Sequence, residues 1–253
     1  MSTLVSLGSN AHSVGSARNP DRTFFAAMAG VMLAIVLVGF APSFYLSSFL
    51  DAKPLRPVVH IHGFLFTLWP VLFITQSMLV RTDRIRLHRA LGVGGAVLAV
   101  LMVISGYVVS AYRPPIAVGS RAASAGEIAV HAFLLGQIYA LLLFATLVTL
   151  AMWFRRNSGV HKRLVLIATI SILNAATARI LLLVGIEPLP YLGMVATWGP
   201  LLLALAIYDV VTQRRLHPAT LWGGLFVALR LPVFAQLGFT DQWQAIATWL
   251  TSY

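Results

Sequence analysis

The chain has 253 residues, of which 59% are hydrophobic and 10% charged, and its formal net charge is +11. Soluble domains carry about 25% charged residues, so this composition excludes a soluble globular protein and calls for an integral membrane protein. The basic residues fall in short clusters between apolar runs, the pattern of membrane topology and not of a nucleic-acid-binding face; with no cysteine, disulfides, thiolate metal sites and iron–sulfur ligation are excluded.

Residues 1–22, rich in Ser, Gly and Asn, read as a disordered cytoplasmic arm. The apolar run that begins near Phe24 is too long for a signal-peptide core and is followed by no small-residue cleavage site, so it reads as a retained first span. A spanning helix needs about 20 mostly apolar residues. Seven runs meet that need: 24–49, 58–80, 90–112, 128–154, 162–186, 190–212 and 219–239. The expected fold is therefore an all-α polytopic membrane domain over 23–239, with spans two to five as a four-helix core. Arg18 and Arg22 precede span one, Arg81, Arg84, Arg86 and Arg89 separate spans two and three, and Arg155, Arg156, Lys162 and Arg163 separate four and five. With Arg214 and Arg215 before span seven, the positive-inside rule puts the N-terminus in the cytoplasm and the C-terminus outside. The expected location is a bacterial inner (plasma) membrane, with the lipid bilayer as partner.

Residues 58–112 and 128–186 form two similar hairpins, divided by the external loop 113–127. Span seven carries Arg230 and Pro232, which predict a kink or partial insertion. Trp243, Trp249 and Tyr253 suit the segment 240–253 to the outer interface.

The only chemistry the sequence advertises is histidine. His60 and His62 open span two in Val59-His60-Ile61-His62-Gly63-Phe64-Leu65, and His131 opens span four in Val130-His131-Ala132-Phe133-Leu134. His88 and His161 open spans three and five from the cytoplasmic side. A lone interfacial histidine more often sits among headgroups than binds anything, but four in a repeated arrangement favour an outer pair and an inner pair held in a bundle. Residues two apart on a helix point about 200° away from each other, so only one of His60 and His62 faces inward; the alignment with His131 favours His62. The small residue after each of these histidines, Gly63 or Ala132, would admit a flat macrocycle or a neighbouring backbone. If the segment after Pro57 is extended instead, His60 and His62 would chelate one ion. His12 and His217 lie in polar segments and read as ordinary surface residues.

Polar groups at membrane depth are expensive and mark sites. Arg179 lies about 27 Å up the helix from His161, near the outer histidines, where it would meet an anionic group or Glu187. Glu127 precedes His131 by one turn and would fix its tautomer. Gln76, Gln137 and Asn174 read as interhelical bonds, and Asp209 as a partner of Arg214 or Arg215.

The four histidines over roughly 58–186, with the segments His88-Arg89-Ala90-Leu91-Gly92 and His161-Lys162-Arg163-Leu164, resemble the transmembrane two-haem cytochromes b. They are also similar to uncharacterised bacterial membrane families with comparable histidine hairpins. The cytochrome resemblance implies haem b on each side, ligated by His62 with His131 and by His88 with His161. Arg179, with Arg113 or Arg121 outside and Arg89 and Arg163 inside, would offset propionate charge. It implies electron transport, and as an enzyme the chain would be a transmembrane oxidoreductase serving a quinone or a redox partner protein. The sequence departs from that pattern in placing its histidines close to helix starts.

Two other readings remain. One is a membrane metalloenzyme with copper, zinc or iron bound by His60, His62 and His131 at the outer face, or by His88 and His161. The other is a non-catalytic subunit or assembly factor whose histidines are interfacial anchors.

Overall fold

The structure, a computed structural model, describes residues 20–50, 54–112, 127–186 and 190–252. The described residues form helices α1 (Pro20–Phe40), α2 (Pro57–Arg81), α3 (Ile85–Tyr112), α4 (Glu127–Trp153), α5 (Ser158–Ser171) and α6 (Asn174–Leu183). They continue as α7 (Pro190–Gln213), α8 (Pro218–Ala228), α9 (Arg230–Leu237) and α10 (Asp241–Leu250), with no strand among them. Among the described residues six helical stretches are long and apolar enough to cross a membrane, and α5 with α6, bent by 48°, reach the same length and hydropathy only together. The protein is therefore an all-α integral membrane protein.

Local chemistry sets the boundaries. Proline opens α2 and α8, where its missing N–H would have no partner anyway. Asn157 caps α5 by accepting from Val160 N at 3.2 Å, and Thr240 caps α10 from Trp243 N at 3.3 Å. The turn between α2 and α3 places Asp83 at φ 58, a left-handed conformation that Asp tolerates better than most residues. Two starts fall earlier than the hydropathy suggests: α3 begins at Ile85 and α5 at Ser158, so His88 and His161 each lie a turn inside a helix.

Helices α2, α3, α4 and α5 pack in series, and α1 closes them into a ring by packing on both α2 and α5. The expected four-helix core thus has a fifth member, because Ala29 and Met32 of α1 are completely buried. Trp69 of α2 fills the ring's centre, its Nε1 donating to Thr169 Oγ1 of α5 at 3.0 Å and its indole lying edge-on to Phe144 of α4. Gly39 brings α1 against α6: a Cβ there would stand 2.4 Å from the Ala176 carbonyl oxygen. Helices α7, α8 and α9 pack outside, on α4, α5 and α6. Arg22, Arg81, Arg84, Arg86, Arg89, Arg155, Arg156, Lys162, Arg214 and Arg215 gather at one end, called here the basic end. Arg22 and Asp83, 2.5 Å apart, join two of its turns.

Candidate functional site

Two of the four repeated histidines meet. The rings of His88 and His161 lie 6.4 Å apart, centre to centre, at 85° to each other. They come from α3 and α5, which pack mainly against other helices, so the ring contact bridges two elements at the basic end. His161 Nδ1 lies 2.8 Å from the Ala151 carbonyl oxygen. A carbonyl only accepts, so Nδ1 carries a proton and Nε2 is the nitrogen left to bind a ligand. Gln76 Oε1 is buried without a hydrogen-bond partner, while the His88 ring reaches the Gln76 backbone in a hydrogen bond too loose to satisfy its Nδ1 fully. Unsatisfied buried groups of this kind ask for an explanation.

The outer histidines do something else. Helix α2 begins at Pro57, so His60 and His62 both sit on helical backbone and diverge; the extended chelate does not form. His60 is exposed, its ring 5.8 Å from Phe44, while His62 turns inward and packs on Phe66 at 4.1 Å. The space expected beside Gly63 is taken by the chain itself, since a Cβ there would stand 2.4 Å from the Phe44 ring. The π-helical segment Ala41–Tyr45, which prolongs α1, holds Phe44 in place through Tyr45, whose hydroxyl lies 2.7 Å from Thr67 Oγ1. At the matching position Ala132 meets Gly238, whose added Cβ would stand 3.2 Å from the Ala132 Cβ. His131 is buried and its Nδ1 is 2.8 Å from Gln244 Oε1, while Trp243 Nε1 donates to the His131 carbonyl at 2.7 Å. These bonds dock α10 on α4. No ring contact joins His62 and His131 among the described residues, and no group of three or more His, Asp or Glu there is placed to hold a metal ion.

Arg179 lies within electrostatic reach of His62, stacks 4.4 Å over Phe40 and donates to the Ala175 carbonyl at 2.9 Å. Glu187, the Glu127 side chain, Arg113 and Arg121 lie outside the described residues.

A second cluster was not expected. Arg163 and Asp209 are 1% and 0% exposed and form a two-pronged ion pair, with Arg163 Nε 2.9 Å from Asp209 Oδ1. Asp209 therefore pairs with Arg163, not with Arg214 or Arg215, and Arg163 is not free to offset a propionate. The other Asp209 oxygen accepts from Thr220 Oγ1 at 2.5 Å and from His217 N at 3.2 Å, tying α7 to the start of α8. The neighbouring Lys162 pairs with Asp21 of α1, which also accepts from Tyr208 at 2.7 Å. An open cavity of about 370 Å³ beside these pairs is lined by Asp21, Lys162, Tyr208 and His217 among others. His217 lies in the turn before α8, where partial burial and then the nearby Arg163 charge hold its imidazole below the usual histidine range. Only the opposite signs at membrane depth, Arg163 on one span and Asp209 on the next, signalled this pair in the sequence.

The sequence matches no family model and no curated protein, and no solved structure matches the fold.

Proposed function

We propose that the protein is a membrane cytochrome b-like electron carrier in which His88 and His161 hold one haem b at the basic end of the bundle. The observation that carries this reading is the facing ring pair with the His161 tautomer already fixed. Two imidazoles that face each other from different helices of a bundle would hold a metal-centred cofactor between them. The observed separation is 6.4 Å. The Gln76 backbone beside the His88 ring would take the other N–H of that ring, as the Ala151 carbonyl does for His161.

The haem, when bound, supplies the one-electron chemistry. The chain's part is to bind and orient it. The bond from His161 Nδ1 to Ala151 aims Nε2 and strengthens it as a ligand. Exposed Arg84, Arg86 and Arg89 on one side and Arg155 and Arg156 on the other offset propionate charge and attract an anionic redox partner protein. A quinone in the surrounding bilayer is the other electron partner this position allows. In this reading His60, His62 and His131 are packing and docking residues, and a single haem replaces the two that the resemblance implies.

The test is the reduced-minus-oxidised visible spectrum of protein purified after expression with added haem. Sharp b-type bands are expected, lost in both His88→Ala and His161→Ala and kept in His60→Ala, His62→Ala and His131→Ala. A wild-type protein without such bands sinks the proposal, and elemental analysis for copper, zinc and iron on the same sample identifies a bare-ion site instead.

A further inference from the structure

We propose that the kink between α8 and α9 binds a small monovalent anion of the chloride type, held by the Arg230 guanidinium. This stands independently of the haem reading.

Arg230 opens α9 within the span Pro218–Leu237, about 18 Å along it from the basic end. It is 4% exposed, and its Nε is buried with no hydrogen-bond partner. No Asp or Glu among the described residues pairs with it; the acidic partners described there belong to Arg22, Lys162 and Arg163. A guanidinium does not deprotonate in a protein, so titration gives Arg230 no way to shed its charge. Tyr139 is the ionisable group that faces it, and the Tyr139 hydroxyl is committed, donating to the Phe226 carbonyl at 2.8 Å.

The comparison with Arg163 shows what is missing. Arg163 is also buried and is met by a carboxylate and by the Gly159 carbonyl at 2.9 Å. Buried charges in proteins are paired or bind an ion of opposite sign, and Arg230 meets no such protein group among the described residues.

The span is kinked at the same place. Leu229, at the junction, offers no side-chain cap, and Pro232 in the first turn of α9 has no N–H to give. Leu229 keeps helical backbone angles and the span runs on as one stretch, so Arg230 sits at a kink inside the membrane layer. The buried guanidinium stands at that kink, where no described Asp or Glu pairs with it. One fixed positive charge favours a monovalent ion. Val227 and Phe234, 1% and 7% exposed, crowd the kink and favour a small one.

The experiment uses the full-length protein in detergent. Replacing gluconate with chloride at constant ionic strength is expected to raise Tm by several degrees in the wild type and in Arg163→Lys, and to leave Arg230→Met unchanged. Crystals soaked in bromide are expected to show an anomalous peak in hydrogen-bond contact with Arg230. The bromide measurement decides, because it needs only the wild type and holds if Arg230→Met does not fold. A peak beside Arg230 supports the site; saturating bromide with no peak there overturns it.

Discussion

Two buried arginines define the electrostatics of this molecule, and they differ in what faces them. Arg163 has Asp209, with side-chain exposures of 1% and 0%. Removing one member leaves the other charge buried alone, which costs about 3–5 kcal/mol, whereas replacing both with apolar groups of similar volume is close to neutral. Arg163→Met and Asp209→Ala should therefore each lower unfolding free energy by that amount in mixed micelles, and Arg163→Met/Asp209→Leu should recover most of it. Additive losses in the double variant would contradict the ion-pair account. His217 tests the same region by pH. Its folded-state pKa lies below the unfolded value because burial and Arg163 disfavour the imidazolium, with Lys162 and Arg215 acting the same way and Asp209 opposing them. The stabilisation is thus present above the unfolded pKa of about 6.5 and is lost as pH falls through the lower folded value. Tm measured from pH 8 to 5 should fall in the wild type and fall less in His217→Asn; superimposable profiles would refute the assignment.

At the level of elements, glycine decides where helices meet. Gly39 lets the α1 backbone reach the Ala176 carbonyl, a contact with backbone that no side-chain rotation can relieve. Gly39→Leu should cost about 1–3 kcal/mol by overpacking. Gly94→Ala, where an added Cβ meets nothing within 4 Å, should be neutral or gain up to about 1 kcal/mol from helix propensity. Equal effects at both positions in thermal unfolding would show that the close approach is unimportant. Gly63 repeats the lesson at a site that invited another interpretation. A small residue beside a histidine signals close approach, but the sequence does not say by what. Here it is Phe44, delivered by a segment whose placement depends on Tyr45 and Thr67. The existence of each span was legible because bilayer thickness fixes how long an apolar helix must be. The starts of α3 and α5 were not, because α3 opens with Arg86, His88 and Arg89 and α5 with Ser158, Gly159 and His161, which hydropathy reads as loop.

Across the whole molecule, topology was readable and neighbourhood was not. Alternation of spans puts His88 and His161 at one end whatever the packing, so their shared level followed from the sequence. That they meet, while His62 and His131 make no ring contact, depends on where α1, α9 and α10 insert, and no local pattern records that. The ring closed by α1 and the pairing of Arg163 with Asp209 are tertiary facts of the same kind. The kink at Arg230 was half legible, since Pro232 announced a bend but not that the arginine beside it would be buried. One turn of α5 gathers much of this: His161 bonds α4 and faces α3, Lys162 bonds α1, and Arg163 bonds α7. Those bonds have a direction in time. The chain is synthesised from its N-terminus, so Asp21 is already waiting when Lys162 emerges, 141 residues later. Arg163, by contrast, precedes Asp209 by 46 residues and enters the membrane region as an unanswered charge. The same helical turn thus docks backward onto finished chain and forward onto chain not yet made. A nascent protein halted between α5 and α7 would display a bare guanidinium, which completion of α7 conceals.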